Sequence, residues 1–478
     1  KKNTKKKKIY LTNSIPYVNA KPHIGHALEF VQTDVIARYN KIIGNDVLTL
    51  CGGDENALKN VQAAEKANQP IQEFVDENSQ LFLDLTRELN VNFDVWQKGS
   101  DTKHHFPSTQ KLWELCTKSG DIYKKSYRGL YCVGCELFYT PEELDTNGEC
   151  FEHPGKKLEE VEEENYFFKL SKYQKQIMEL IESSVYEIVP QFRKNETLSF
   201  LKEELQDFSI SRTNERAKNW GVPVPNDSKQ RMYVWFDALN IYQSGIGFGW
   251  DEKTYDKWWP ADIHVIGKGI IRFHAIYWPA ILLSAGLKLP KKLFVHEYFT
   301  VNGQKMSKTL GNVFDPTPLA KQYGSDAVRY YCLAKISPFQ DGDFSEEKFI
   351  ESYNSDLANG IGNLVARVAK LCETTNLKSP EDQSEEWLLG VQESLEVFQF
   401  NIALEEIWKK IRSLDQQINL QKPWELKGFQ QTTILVDLVE GIKTIAYNLK
   451  PFMPETAEKI LKQFSGTIKS AAPLFPRI

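Results

Sequence analysis

Two short segments carry residue types that can handle a nucleotide. Pro22-His23-Ile24-Gly25-His26 lies between a β-type run and a helix-period run, so a helix start there would turn unpaired N–H groups and its positive dipole end toward phosphate. His23 and His26 add donors, and Gly25 has no side chain to keep a flat base off the backbone. Taken alone, the segment reads first as a plain helix start with two polar residues. The second, Lys305-Met306-Ser307-Lys308-Thr309, sits in a Gly-flanked loop. Two lysines three apart can close over a triphosphate and hold the charge on departing pyrophosphate. A basic surface loop is the plain alternative.

A third group is Cys132-x2-Cys135-x14-Cys150-x2-His153. Two pairs of soft ligands at two-residue spacing, on turns rich in Gly and Pro, suit four-coordinate zinc, and a closed Cys3His set leaves no position open for water, which makes it structural. The remaining thiols, Cys51, Cys116, Cys332 and Cys372, have no spacing logic and read as buried apolar residues. Seven cysteines in 478 residues make a disulfide framework a poor reading and a reducing compartment a better one.

The elements that position these groups follow from the pattern. Residues 9–60 read strand, Pro/Gly/Asn-rich turn, helix (Ala27 to Tyr39), strand, which is a βαβ unit of a parallel sheet. Strong β signals return at 231–239, 261–269 and 291–300, so one sheet is split by a long insertion of about 117–228 that holds the cysteines, an acidic run at 159–165 and a helix around 170–184. The acidic run reads as a solvated face. From 351 onward apolar residues recur at helical spacing, which predicts an all-α bundle. The longest apolar stretch, Ala275 to Leu287, is 13 residues and falls short of the ~20 needed to span a bilayer. The first eight residues hold six lysines with no apolar segment after them, so they read as a solvated end and not as a secretory signal.

The pair of motifs, HIGH near the first strand and KMSKT about 280 residues later on one split α/β sheet, resembles the class I aminoacyl-tRNA synthetases. The blocks TNSIPYVNAKPHIGHAL, LCGGDE, YVWFDALNIY, IGKGIIRFHAIYWPAILLSAGL and EYFTVNGQKMSKTLGN narrow the resemblance to the methionyl-tRNA synthetase family, from about residue 9 to the end. It implies a Rossmann-like catalytic domain in two halves (1–116 and 229–296), the connective insertion (117–228, zinc knuckle about 128–158), a KMSKT loop and stem-contact region (297–350) and a helical anticodon-binding domain (351–478).

The same resemblance implies ATP-dependent activation of L-methionine to methionyl-adenylate and transfer to tRNA(Met), initiator and elongator, with Mg²⁺ accompanying ATP. His23, Gly25, His26, Lys305, Met306, Ser307 and Lys308 would bind ATP, with His23, His26, Lys305 and Lys308 catalytic. Ser14, Ile15, Tyr17, Trp235, Ala238, Leu239, Tyr242, Ile270 and His274 would form the methionine pocket, with Asp54 on the ammonium. A long, polarizable thioether suits such an aromatic slot. Asn363, Arg367 and Trp424 sit where the family reads the anticodon; Asn363 and Arg367 share a helix face, and an indole can stack on an unpaired base. Cys132, Cys135, Cys150 and His153 resemble the family's zinc knuckle. The family commonly has Asp-Glu-His-Gly where this chain has Asp54-Glu55-Asn56-Ala57, and an acidic residue at Gly269, so the contacts made there are open.

A net charge of −5 excludes nucleic-acid binding by a global positive field. Residues 351–478 carry 14 basic and 17 acidic side chains, so tRNA binding there would rest on a few placed groups and stacking. A monomer is expected, because the chain stops where the family's bundle ends, and the cytoplasm is the expected compartment.

Overall fold

The computed structural model describes residues 6–306, 310–380 and 385–478. It divides into two compact units, one of residues 1–22, 44–84 and 92–296, the other of 23–43, 85–91 and 297–478.

The first unit is built on a six-stranded parallel sheet. In spatial order its strands are Val95–Lys98, Asp46–Gly53, Lys8–Asn13, Ile263–Gly267, Lys292–His296 and Glu187–Val189. The chain leaves Lys8–Asn13 for a neighbour on one side and supplies the neighbour on the other side only at residue 263, so strand order reverses there. Ligands of open α/β sheets bind outside the carboxyl ends of strands at such a switch point. Ser14 to Tyr17, Asp54, and Ile270 with His274 all follow carboxyl ends of the three central strands.

The segment expected as an insertion contributes to two sheets of its own and one strand to the central sheet. Leu137–Tyr139, Ile122–Cys132, Glu159–Phe168 and Phe208–Ser209 form an antiparallel sheet, while Ser211–Thr213, Asp227–Met232 and Pro223–Val224 form another. Glu187–Val189 meanwhile returns to the edge of the parallel sheet. The acidic run lies on a strand and is only in part a solvated face. Val161 and Asn165 are buried, and the carboxylates meet basic partners: Arg128 with Glu160 (2.7 Å), and Arg216 with Glu163 (2.5 Å) and Glu159 (3.3 Å).

One expected strand is a helix. Of residues 231–239, read as β, only Arg231 and Met232 end a strand; Val234–Ser244 is helical with all eleven residues buried. The strand preference of Tyr, Val, Trp and Phe spans only about 1 kcal/mol. The helix packs on the Asp46–Gly53 and Val95–Lys98 strands, and burial contributes ~1.5–3 kcal/mol per large apolar side chain.

The second unit joins the Ile24–Ile42 helix to the helical C-terminal part, whose long members are Phe400–Gln421 and Gly428–Leu449. Its internal tie is Arg329, fully buried. Arg329 pairs with Asp34 at 2.7 Å and donates to the carbonyls of Leu89 (3.2 Å), Pro451 (3.0 Å) and Phe452 (2.8 Å). A guanidinium without these partners would be an uncompensated buried charge. Among the described residues no helix is long and apolar enough to cross a membrane, and none of the seven cysteines forms a disulfide.

Candidate functional site

In the first unit the structure gathers the residues expected as an amino-acid pocket. The helical reading of 234–244 is what allows it: Trp235, Ala238, Leu239 and Tyr242 are spaced i, i+3, i+4 and i+7 and so share one face. Trp235 meets Tyr17 edge-on (centroids 6.3 Å, 87°), stacks flat on Phe273 (3.9 Å, 7°) and stands edge-on to His274 (6.1 Å). Ile15, Tyr17 and Ile270 are partly buried against the same core, and Ser14 N–H donates to the Val265 carbonyl (2.9 Å). His274 lies in a π-helical turn, Phe273–Tyr277, ahead of Pro279. Such turns recur at functional sites. His274 Nδ1 donates to the Ile270 carbonyl (2.9 Å), and its Nε2 lies 2.7 Å from the Tyr242 hydroxyl. Phe273 belongs to this wall and was not singled out by the sequence, although it adjoins His274.

At the other end of the aromatic group lies a carboxylate. Asp54 follows Gly53, bridges to Tyr17, and its N–H donates to the Pro16 carbonyl (2.9 Å). Burial, with the nearby charges of Asp237 and Glu136, pushes the Asp54 carboxyl well above the usual range, while Lys59 works in the opposite sense. Lys59 holds its ammonium 3.0 Å from the centre of the Tyr17 ring and is pushed down to about 8 by burial. Glu136, which follows Cys135, is raised to about 7 by burial; its Oε1 accepts from Leu58 N–H (2.5 Å) at the start of the Leu58–Lys66 helix. No spacing pattern marks Lys59 or Glu136 in the sequence. They emerge only because the cysteine-bearing turn folds against the Asp54 loop.

Asn56, at one departure from the family pattern, takes a defined place. Its amide donates to the Gly99 carbonyl (2.7 Å) and to Asp237 (3.0 Å), which also accepts from His105 Nε2 (2.6 Å). His105 Nδ1 lies 2.7 Å from Ser244 Oγ. This Ser-His-Asp line is wholly buried, so it is a structural network with no room for a substrate.

Cys132, Cys135, Cys150 and His153 come together with all ligand atoms within 4.8 Å of one another. Cys132 and Cys150 sulfurs are 3.4 Å apart, Cys135 and Cys150 3.7 Å, and His153 Nδ1 lies 3.5 Å from Cys150 and 3.8 Å from Cys132. Zinc–sulfur bonds of 2.3 Å at tetrahedral angles put sulfurs about 3.8 Å apart, so the donor set fits. Gly134 is required by close approach: a Cβ there would lie 2.4 Å from the His153 ring. The other four thiols are buried, as expected.

His23 to His26 and the described start of the second motif, Lys305 and Met306, lie in the second unit and approach each other. Ile24 N–H donates to the Phe314 carbonyl (2.9 Å), and a Cβ on Gly25 would be 3.5 Å from Met306 Cε. Lys305 is exposed at the end of a hairpin (Phe299–Val301, Gln304–Lys305) turned by Asn302-Gly303, both at positive φ. The Asn302-Gly303 pair suits such a two-residue turn. Ser307 and Lys308 fall outside the described residues.

The helix start differs from expectation. Its first N–H groups are already paired: Ile24 with Phe314, Gly25 with His23 Nδ1 (3.0 Å), and His26 and Ala27 with the His23 carbonyl. His23 N–H donates in turn to His26 Nδ1 (3.1 Å), which completes a reciprocal cap. The backbone here is therefore not an open phosphate cradle. With both Nδ1 atoms accepting, each imidazole carries its proton on Nε2, and the two side chains become the donors. Burial and the neighbouring His23 push His26 well below the usual imidazole range. Gly25 clears space first for the His23 ring, whose Cε1 would be 2.8 Å from an added Cβ.

In the helical part Asn363 is exposed, and Arg367, four residues on, pairs with Asp415 (3.2 Å) and donates to Asn419 Oδ1 (2.9 Å). Trp424 follows Lys422 and Pro423 and is 50% exposed, with Leu420 and Phe429 more exposed still.

The family model described as tRNA synthetases class I (M) matches residues 9–369. The methionine–tRNA ligase of Thermotoga maritima is 41% identical over 96% of this chain and 75% of its own length, and that of Rhizobium meliloti is 41% identical over 98% of each. A solved structure of the Mycobacterium tuberculosis methionyl-tRNA synthetase in complex with methionyl-adenylate superposes with a TM-score of 0.90 at 34% identity, covering 98% of this chain and all of the other.

Proposed function

The chain belongs to the class I (M) tRNA synthetase family, and from that premise we propose that it is a methionine–tRNA ligase whose pocket runs from Asp54 to the Tyr242–His274 pair. One observation carries the substrate choice: a buried carboxylate at one end, stacked aromatics between, and a single weakly polar contact at the other. That arrangement suits an α-ammonium and an unbranched, polarizable side chain. The methionine carboxylate attacks the α-phosphorus of MgATP in line and pyrophosphate leaves. The adenylate carbonyl is then attacked by the 2′-hydroxyl of the terminal tRNA ribose. Nε2–H of His23 and His26 meets the phosphates; Lys305 and Lys308 face the charge on departing pyrophosphate. No protein nucleophile is needed, because positioning and charge stabilisation supply the catalysis. Residues 1–116 and 229–296 serve as the catalytic halves, 117–228 as the insertion, 297–350 as the loop and stem-contact region, and the reaction belongs in the cytoplasm.

ATP–pyrophosphate exchange across a panel of amino acids tests the reading. Methionine should support exchange with the highest kcat/KM; a higher value for leucine, isoleucine or valine would overturn it.

Zinc would be held by Cys132, Cys135, Cys150 and His153, where it fixes the turn against the Asp54 loop. Metal analysis of the purified protein should return about one equivalent of zinc per chain, and free reaction of these thiols with a maleimide, without metal release, would reject the site. For the tRNA, Asn363, Arg367 and Trp424 would contact the anticodon. Trp424→Ala should lower kcat/KM for tRNA aminoacylation about 10- to 100-fold, the worth of one base–aromatic stack, and leave pyrophosphate exchange unchanged; equal loss in both assays would refute the assignment.

A further inference from the structure

Beneath the two polar residues of the pocket lies His264, a fully buried imidazole that no step above uses. Thr12 and His264 are direct partners in the parallel ladder of the two central strands. Thr12 Oγ1 and His264 Nδ1 are 2.5 Å apart, and Trp278 Nε1 donates to His264 Nε2 at 3.2 Å. An indole N–H can only donate, so His264 Nε2 is an acceptor and the ring proton is on Nδ1, given to Thr12. Burial, with His274 nearby, pushes His264 well below the usual imidazole range, which keeps that tautomer neutral.

This fixed ring touches the pocket. The Tyr242 ring lies over it with centroids 4.4 Å apart at 36°, and His274 stands edge-on at 6.1 Å. Tyr10 adds a second restraint by donating from its hydroxyl to the Tyr242 carbonyl (2.6 Å). The consequence is directional. A histidine free to rotate or to change tautomer would let the Tyr242 ring tilt and move its hydroxyl from His274.

We propose that the Thr12–His264–Trp278 hydrogen-bond line is a positioning device for methionine recognition, in which His264 holds the Tyr242 ring so that its hydroxyl stays on His274 at the side-chain end of the pocket. This rests on the methionine pocket proposed above. His264 touches neither substrate nor nucleotide in this arrangement; it acts through Tyr242. Its effect therefore falls on the amino-acid side chain and spares ATP.

Thr12→Val keeps the shape of residue 12 and removes the acceptor of the Nδ1 proton; His264→Phe keeps a ring under Tyr242 and removes both hydrogen bonds. In exchange assays both variants should raise KM for methionine about tenfold, leave KM for ATP within a factor of two, and narrow the preference for methionine over norleucine. Thr12→Ser, which restores a hydroxyl, should return KM for methionine to the wild-type value. An unchanged KM for methionine in a Thr12→Val protein with wild-type melting would overturn the proposal, as would parallel loss for methionine and ATP, the mark of a merely structural role. If His264→Phe does not fold, Thr12→Val and its Ser counterpart decide. Failure of the pocket reading itself looks different: the wild-type protein would then show no preference for methionine over norleucine at all.

Discussion

Replacing Asp54 with alanine should reduce kcat/KM for methionine in pyrophosphate exchange by about 10²- to 10³-fold, since truncating one partner of a desolvated charge pair costs ~3–4 kcal/mol. The loss should appear without loss of folding. Asp54 is a buried carboxyl whose ionisation is opposed by burial and by Asp237 and Glu136. A carboxyl raised on folding binds its proton more tightly in the native state. Stability then falls as pH rises above the unfolded pKa, so the buried Asp54 carboxyl is a cost to the fold of the free enzyme at neutral pH, relieved when the substrate ammonium arrives. Asp54→Ala removes the cost and the binding together. Its melting temperature at pH 8 should equal or exceed that of the wild type, the usual trade between stability and activity at a binding site. An Asp54→Ala enzyme with methionine kinetics within threefold of the wild type would show that another group holds the ammonium, and Glu136 would be the next to test.

The sequence singles out side chains that the fold brings together, but not the conformation that does so. Cysteine and histidine spacing is local, so the four soft ligands were legible as a set before any fold was known, and their sulfur separations of 3.4 and 3.7 Å suit one ion. The segment 231–239 shows the opposite case. Its apolar run has no period that separates a buried strand from a helix buried on every side, and Val234–Ser244 is the latter. Trp235, Ala238, Leu239 and Tyr242 are expected in the pocket by resemblance, but their common face exists only in the helix. Lys59 and Glu136 lay beyond any local pattern. They are 77 positions apart in the sequence and meet around Tyr17 and Asp54 because the cysteine turn folds back on the Asp54 loop.

The helix start at His23 differs in its backbone from what the motif suggests. The motif suggests a row of open backbone donors, as helix N-termini commonly offer anions. The reciprocal histidine cap uses those donors internally, which fixes both rings and directs a proton to Nε2 on each. The placement of the His23 ring depends in turn on Gly25 having no Cβ to press on it.

Lys308→Ala should lower kcat for pyrophosphate exchange by about 10²- to 10³-fold, the scale on which one electrostatic donor to a transition state is commonly measured, with KM for methionine unchanged. The frame around that residue supports the expectation. The Lys305 carbonyl accepts from Asn312 Nδ2 (3.0 Å), which closes the neck of the loop, and Phe314 just beyond accepts from Ile24 N–H at the start of the histidine-bearing helix. The described residues on either side of Lys308 therefore come back beside the start of the His23–His26 helix. Charge on the β,γ-oxygens grows as the α-phosphorus bond to pyrophosphate breaks. An ammonium there is worth more in the transition state than in the ground state, so the loss should fall on kcat and less on KM for ATP. Because the same transition state serves both directions, formation of ATP from isolated methionyl-adenylate and pyrophosphate should slow by a matching factor. Transfer from preformed adenylate to tRNA, in which no pyrophosphate leaves, should keep its rate in single-turnover assays. An equal defect in that transfer step would mean that Lys308 acts by closing the site as a whole, and the assignment to the departing pyrophosphate would fall.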